Sequence, residues 1–299
     1  KKCGADVAKF QNSYPDQLFK IKTKAFQVSQ KFVMQTSDYA EIKKYCDKLK
    51  IEFLCTPFDI KSVDQLEELN VRRYKVSSPD LVDMPLHNKI LLTQKPVILS
   101  TGMANISEIK KTVNYYKKNG MSEITLLHCV SNYPSTIDEL NLKTINRMKQ
   151  EFKIPVGFSD HTPGLISTLT SVAMGANIIE RHFRDENNTP SPDDVHALTK
   201  DEFSELINSV RNIEKSFGSD EKTPTNSEKK NLVTNRVSIV AIKEIKKGTI
   251  ISKDMIDIRR PGNGIQPRFC DDVIGEKTNV NISKEQILEW KFFDTIYKK

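Results

Sequence analysis

The sequence has 299 residues, 34.2 kDa, with 46 Lys and Arg against 39 Asp and Glu, a net charge of +7. That length accommodates one large domain, or one large and one small. Apolar content of 37% with 28% charged residues is that of a globular chain with a sizeable core. No run approaches the ~18 apolar residues a membrane-spanning helix needs, and no basic run interleaved with aromatics reads as a nucleic-acid surface. The positive balance describes a lysine-rich solvated surface, with some power to draw in anionic small molecules. Cys3, Cys46, Cys55, Cys129 and Cys270 are odd in number and contain no CxxC pair, which predicts free thiols in a reducing cytoplasm.

Seven strand-like runs follow one another: "ADVAKF" (5–10), "IEFLCTPF" (51–58), "RRYKVSS" (72–78), "PVILSTG" (96–102), "EITLLHCV" (123–130), "IPVGFSD" (154–160) and "NIIERHF" (177–183). Most are almost continuously apolar, as strands covered on both faces are. The segments between them read as helices. Ser62 with Gln65 is predicted to open one that carries Val63, Leu66 and Leu69. Asn105 and Glu108 form a capping-box pattern before Ile106, Ile109, Val113 and Tyr116, with Gly120 as the stop. After His161, an apolar face of Leu165, Leu169, Val172 and Ala173 is predicted, ended by Gly175.

Repeated β-α units specify an α/β fold with a parallel sheet, either open or closed into a barrel. A (β/α)8 TIM barrel has eight strands. "KKCGADVAKF" reads as the tail of a helix feeding a strand, so a first β-α unit is expected upstream. The barrel is assigned to residues 1–217. Residues 218–235 are polar and linker-like, and residues 236–299 form a small, mostly β second domain of short strands broken by Gly, Pro and Asn.

In such a barrel the C-terminal strand ends share one face, where chemistry collects. His161 follows "IPVGFSD" and His182 lies near the end of "NIIERHF", one β-α unit apart, so the two imidazoles can converge on a divalent metal. The competing reading is two histidines bonded to backbone. At the same face lie Lys9, Thr56, Lys75, Ser78, Ser131, Tyr133 and Ser159. A lysine inside an apolar strand is costly unless it meets an anion. Lys9 and Lys75 therefore imply a phosphate or carboxylate ligand, or else a buried salt bridge. His87 and His196 are expected in exposed loops, and His128 as a hydrogen-bonded residue of the barrel wall.

Eight fragments in order, "KKCGADVAKFQ", "LCTPF", "YKVSS", "VILSTGMA", "LLHCVSNYP", "GFSDHT", "GANIIERHF" and "RRPGNG", resemble the sialic acid synthase family across nearly the whole chain. The resemblance implies a TIM barrel followed by an antifreeze-like SAF domain, and a domain-swapped homodimer. It implies condensation of phosphoenolpyruvate with an N-acylated hexosamine, typically N-acetylmannosamine, with release of phosphate. Legionaminic or pseudaminic acid synthesis by the same chemistry is the sister alternative. A metal-dependent aldolase or hydrolase, and a non-catalytic relative, are the others. A divalent ion is implied, Mn2+ first, with Mg2+ or Co2+ as alternatives.

Residue by residue, His161 and His182 match the family's metal ligands. Lys9, Thr56, Lys75, Ser78 and Ser159 match positions that hold phosphoenolpyruvate. Ser131 stands where a close family pattern has Asn. Tyr133 and Asp193 match residues that hold the amino sugar, and Arg260 matches an arginine the SAF domain delivers to the partner's site. Asp80 replaces a glutamate implied in proton transfer. "SPDD" replaces a family "GPDH", with Ser191 for glycine and Asp194 for histidine. The family's acidic first strand and "INHNG"-like stretch have no counterpart in these residues.

Overall fold

The computed structural model describes residues 1–19, 23–185 and 191–294, in two compact units, Lys1–Gly218 and Ser219–Lys299. The last residues assigned to the second domain, 295–299, lie outside the described residues.

The first unit is a curled parallel sheet of the (β/α)-barrel type, wrapped by helices. Its strands are β1 (Val7–Asn12), β2 (Glu52–Pro57), β3 (Tyr74–Val76), β4 (Val97–Ser100), β5 (Ile124–Cys129), β6 (Val156–Asp160) and β7 (Ile179–Arg181). All pairings in it are parallel: β1 with β2, and β3 to β7 in sequential order.

Side chains alternate along each strand, so each contributes one set to the lumen and one to the helices. The outward set, including Phe53, Tyr74, Val76, Leu99, Leu126, Val156 and Phe158, packs with helix residues such as Leu66, Ile90, Val113, Tyr116 and Ile145 into the main core. The inward set forms a small apolar floor of Leu54, Ile98 and Leu127, with Val7 and Ile178 against it. Two residues further along these strands stand Lys9, Thr56, Ser100, Cys129 and Glu180, and on β6 Ser159 follows Gly157 by the same step, so the lumen turns polar. Near-continuous apolar strands thus carry one polar layer on the inner face, close to their C-terminal ends.

Gly157 lies opposite Leu127 in the β5–β6 ladder. A Cβ there would fall 2.7 Å from Leu127 Cδ2, 2.9 Å from Ile178 Cβ and closer still to the Ile178 carbonyl oxygen. Only a glycine lets β6 and the start of β7 approach this closely over the floor.

The helices differ from expectation in two places. The helix carrying Val63 and Leu66 spans Ile60–Glu68 and is capped by Asp59, whose carboxylate accepts from the Ser62 N–H at 2.7 Å. Ser62 and Gln65 are buried inside it, and Gln65 donates to Thr36 Oγ1. In the helix Ile166–Ala173 the buried face is Ser167, Thr168, Ser171 and Val172, while Ile166 is 72% exposed. The face is chosen by a polar demand: Thr168 donates to the buried Asp160 carboxylate, which an apolar side chain could not satisfy. The Asn105–Glu108 capping box and the Gly175 stop, at φ +89°, both form.

His87 is fully buried, not in an exposed loop. It lies in the helix Met84–Leu92, where Nε2 donates to the Leu81 carbonyl (2.8 Å) and Nδ1 accepts from the Tyr116 hydroxyl (2.9 Å). His196 is also buried, at 2% exposure. His128 bonds the Leu140 carbonyl through Nε2 at 2.6 Å.

In the second unit, β8 (Ser238–Ala241) pairs antiparallel with β9 (Ile256–Arg259). Isolated bridges such as Ile245–Ile282 and Thr278–Phe293 close the remainder around Ile239, Ile245, Val273, Ile282 and Leu288. The stretch read as linker contains an exposed helix, Asn226–Thr234, started by a capping box between Thr225 and Glu228.

Replacing Gly157 with alanine forces β6 away from Ile178. We expect a loss of about 1–3 kcal/mol, read as a lower urea midpoint with secondary structure retained at zero denaturant.

Candidate active site

Lys9 and Lys75 meet on one carboxylate that sequence reasoning did not single out, that of Glu180. Lys9 Nζ lies 3.0 Å from Glu180 Oε1 and Lys75 Nζ 3.5 Å from Oε2. Ser159 completes the group by donating its hydroxyl to Glu180 Oε1 at 2.9 Å. The signal was present in "NIIERHF": a glutamate two residues before a strand-end histidine shares that histidine's face. Burial alone would push the Glu180 carboxyl up, but the two lysines and the Ser159 hydroxyl outweigh it and hold the group ionised. Lys75 goes the other way: its side chain is 4% exposed, and burial lowers its pKa against the pull of Glu180.

The hydroxyls predicted at this face fall into two sets. Thr56 Oγ1 is buried with no hydrogen-bond partner among the described residues. Ser78 Oγ accepts from the Gly102 N–H at 3.0 Å. A Cβ on Gly102 would run into Ser131 Oγ and lie 2.9 Å from Ser78 Oγ, so glycine lets both hydroxyls close on its backbone. Asp80 follows in the turn after β3, 8% exposed, and accepts from Ser77 Oγ at 2.5 Å. Burial pushes its carboxyl pKa up, against the Ser77 hydrogen bond.

Above this layer stand three histidines and a tyrosine. Ring centroids are 5.4 Å apart for His161 and His182, 4.7 Å for His182 and His196, and 5.8 Å for His161 and His196. Tyr133 lies across them, 4.2 Å from the His161 ring and 5.5 Å from that of His196. Nδ1 of His161 is 3.0 Å from the Val130 carbonyl, which fixes that proton and leaves Nε2 free. His182 Nδ1 is 3.1 Å from Asp193 Oδ2. Burial pushes the His182 pKa down to about 4 despite that carboxylate, and it lowers those of His161 and His196 too. All three rings are therefore mainly neutral near pH 7, the form that ligates metals.

The sequence reading missed His196 because its position depends on a returning segment. After β7 the chain comes back beside the strand tip, with a parallel bridge from Phe183 to Leu198 and a Leu198 N–H bond to the His182 carbonyl (2.9 Å). Behind the strands, Asp160 Oδ2 and Arg181 Nη1 form a fully buried ion pair at 2.8 Å. Arg181 Nη2 also donates to the carbonyls of Gly164 and His196.

A divalent ion fits this donor set. One ligand atom from each of His182, Asp193 and His196 lies within 4.8 Å of the others, and neither nitrogen of the buried His196 ring has a hydrogen-bond partner among the described residues. Arg260 is exposed in the second unit, beside Arg259, which pairs with Asp257 and Glu285.

The NeuB family profile matches residues 1–222, and that of the SAF domain residues 236–294. The chain belongs to the NeuB family. It is an enzyme of that family's synthase type. An N,N'-diacetyllegionaminic acid synthase of Campylobacter jejuni is 37% identical over 95% of this chain and 90% of its own. The human N-acetylneuraminate-9-phosphate synthase is 29% identical over 100% and 87%. Among solved structures, the N-acetylneuraminic acid synthetase of Leptospira borgpetersenii serovar Hardjo-bovis, in complex with citrate, superposes with a TM-score of 0.73. It is 30% identical, covering 77% of this chain and 81% of that one.

Glu180→Gln leaves two ammonium groups facing each other without their carboxylate. We expect a loss of about 3–5 kcal/mol, and a larger rise in Tm on adding inorganic phosphate than the wild type shows. Thermal melts with and without phosphate check both.

Proposed function

We propose that the chain is a nonulosonic acid synthase, which condenses phosphoenolpyruvate with an N-acylated amino hexose and releases phosphate. The carrying observation is the Lys9–Glu180–Lys75 layer, one inward step below the histidines, in a chain whose relatives are named as synthases of such acids. Two lysines less one glutamate leave one positive charge in the lumen. That charge, with the unpaired Thr56 hydroxyl, suits a small ligand carrying phosphate and carboxylate on one carbon. Lys9, 21% exposed, is free to turn towards the ligand, while Lys75 is fixed. Ser78, Ser131 and Ser159 add hydroxyls around it, and Tyr133 and Asp193 face the sugar.

Carbon 3 of phosphoenolpyruvate attacks the aldehyde carbon of the open-chain sugar, and the aldehyde oxygen takes a proton. Holding both carbons about 3 Å apart supplies much of the acceleration. Water adds at carbon 2, and the tetrahedral centre collapses as its C–O bond to phosphate breaks. Asp80, whose pKa burial raises, is the residue that carries a proton during this exchange. A divalent cation, Mn2+ first with Mg2+ or Co2+ as alternatives, would be held by His161 and His182 and supply Lewis-acid polarisation of the sugar's carbonyl. Arg260, delivered across a domain-swapped homodimer, hydrogen-bonds the N-acyl carbonyl. The five free thiols suit a reducing cytoplasm.

The family resemblance implies N-acetylmannosamine as the sugar. The higher identity to the legionaminic enzyme (37%) than to the human neuraminate one (29%) favours a second reading, a hexose carrying two N-acetyl groups.

A phosphate-release assay on the full-length protein, with a panel of amino sugars, tests the proposal. Release is expected only with both substrates present; release from phosphoenolpyruvate alone would overturn it in favour of a hydrolase. His182→Ala is expected to abolish release with the circular dichroism spectrum unchanged. Arg260→Ala is expected to raise the sugar KM at least ~10-fold with little change in that for phosphoenolpyruvate, and equal effects on both would remove Arg260 from the sugar site.

A further inference from the structure

We infer that His196 is a third imidazole ligand, and Asp193 a carboxylate ligand, of the cation site. The inference builds on the metal reading of the proposed function and enlarges the site beyond its two strand-end histidines.

The His196 ring is 1% exposed, and neither nitrogen has a hydrogen-bond partner among the described residues. Asp193 Oδ1 stands 3.9 Å from His196 Nε2, too far for a hydrogen bond. An imidazole left buried and unpaired carries an uncompensated desolvation cost. A cation shared with His182 and Asp193 recovers that cost, because the three donors already lie within 4.8 Å of one another.

The ring is also held in place. The His196 N–H donates to the Asp193 carbonyl at 3.1 Å, and the His196 carbonyl accepts from Arg181 at 3.3 Å. Arg181 is itself anchored on the buried Asp160. Backbone clamps on both sides of an unpaired ring describe a preorganised ligand.

The donor chemistry has a consequence for which ion binds. Two imidazoles and one carboxylate form the close group, and the His161 ring stands beside it, its centroid 5.4 Å from that of His182 and 5.8 Å from that of His196. Such nitrogen-rich donors suit a transition ion, whereas Mg2+ takes carboxylates and water. Asp193 then contacts the sugar only from a position beside the ion.

Mn2+ titrated into the full-length protein and followed by electron paramagnetic resonance, with nitrogen couplings counted by pulsed methods, tests this. Wild type should show three coupled imidazole nitrogens and resist displacement by excess Mg2+. His196→Ala and the conservative His196→Gln should each show two and bind Mn2+ at least ~10-fold more weakly, with melting curves establishing that both are folded. Two nitrogens in the wild type, or unchanged affinity in both variants, would overturn the inference while leaving a two-histidine site intact. No histidine nitrogen coupled in the wild type would instead remove the metal reading on which it builds.

Discussion

Glu180 determines what the lumen of this barrel can hold. Without a carboxylate between them, two lysines this close in a buried polar layer would repel, and burial disfavours the charged form of each. With it, β1, β3 and β7 are tied together through their inward side chains, and the layer keeps a single positive charge. A buried ion pair on a stable floor is weak evidence of stabilisation, since apolar replacements often do as well. Its retention here makes sense as a device for receiving a second, transient anion.

The layers above and below depend on the same alternation. Beneath lie Leu54, Ile98 and Leu127, a floor that excludes water and strengthens every charge interaction over it. Above lie the three imidazoles and Tyr133, at the strand-end face. On the outer side, Asp160 and Arg181 occupy the positions next to His161 and His182 in sequence, and their ion pair ties the two strand tips and the returning segment together. Substrate-facing groups and the groups that fix them are thus neighbours in the chain but lie on opposite faces of one sheet.

How much of this could be read in the sequence varied with the range of the interaction. Seven apolar runs with turn signals marked the seven strands, because burial on both faces leaves a local compositional trace. Asn105 and Glu108 announced a helix start for the same reason. The buried hydroxyl face of Ile166–Ala173 could not be read that way, since the need for Thr168 arises from Asp160 on another element. His87 and His196 looked like loop residues because turn-forming residues stand just before them, Asp83 and Pro85 in one case and Pro192, Asp193 and Asp194 in the other, yet both are buried. Lys9 and Lys75 inside apolar strands are compatible with a bound anion and with a salt bridge alike. Deciding needed the register that brings Glu180 between the two lysines.

The pairing of Asp160 with Arg181 in adjacent strands, beside His161 and His182, has a further implication. Side chains on β7 alternate strictly, so inserting or deleting one residue ahead of Glu180 would exchange the two faces of that strand. A guanidinium would then look into the mouth and an imidazole into the helix layer. The mouth would gain a fixed positive charge and lose an imidazole, so the length of this short strand is under tighter constraint than the identity of most residues in it.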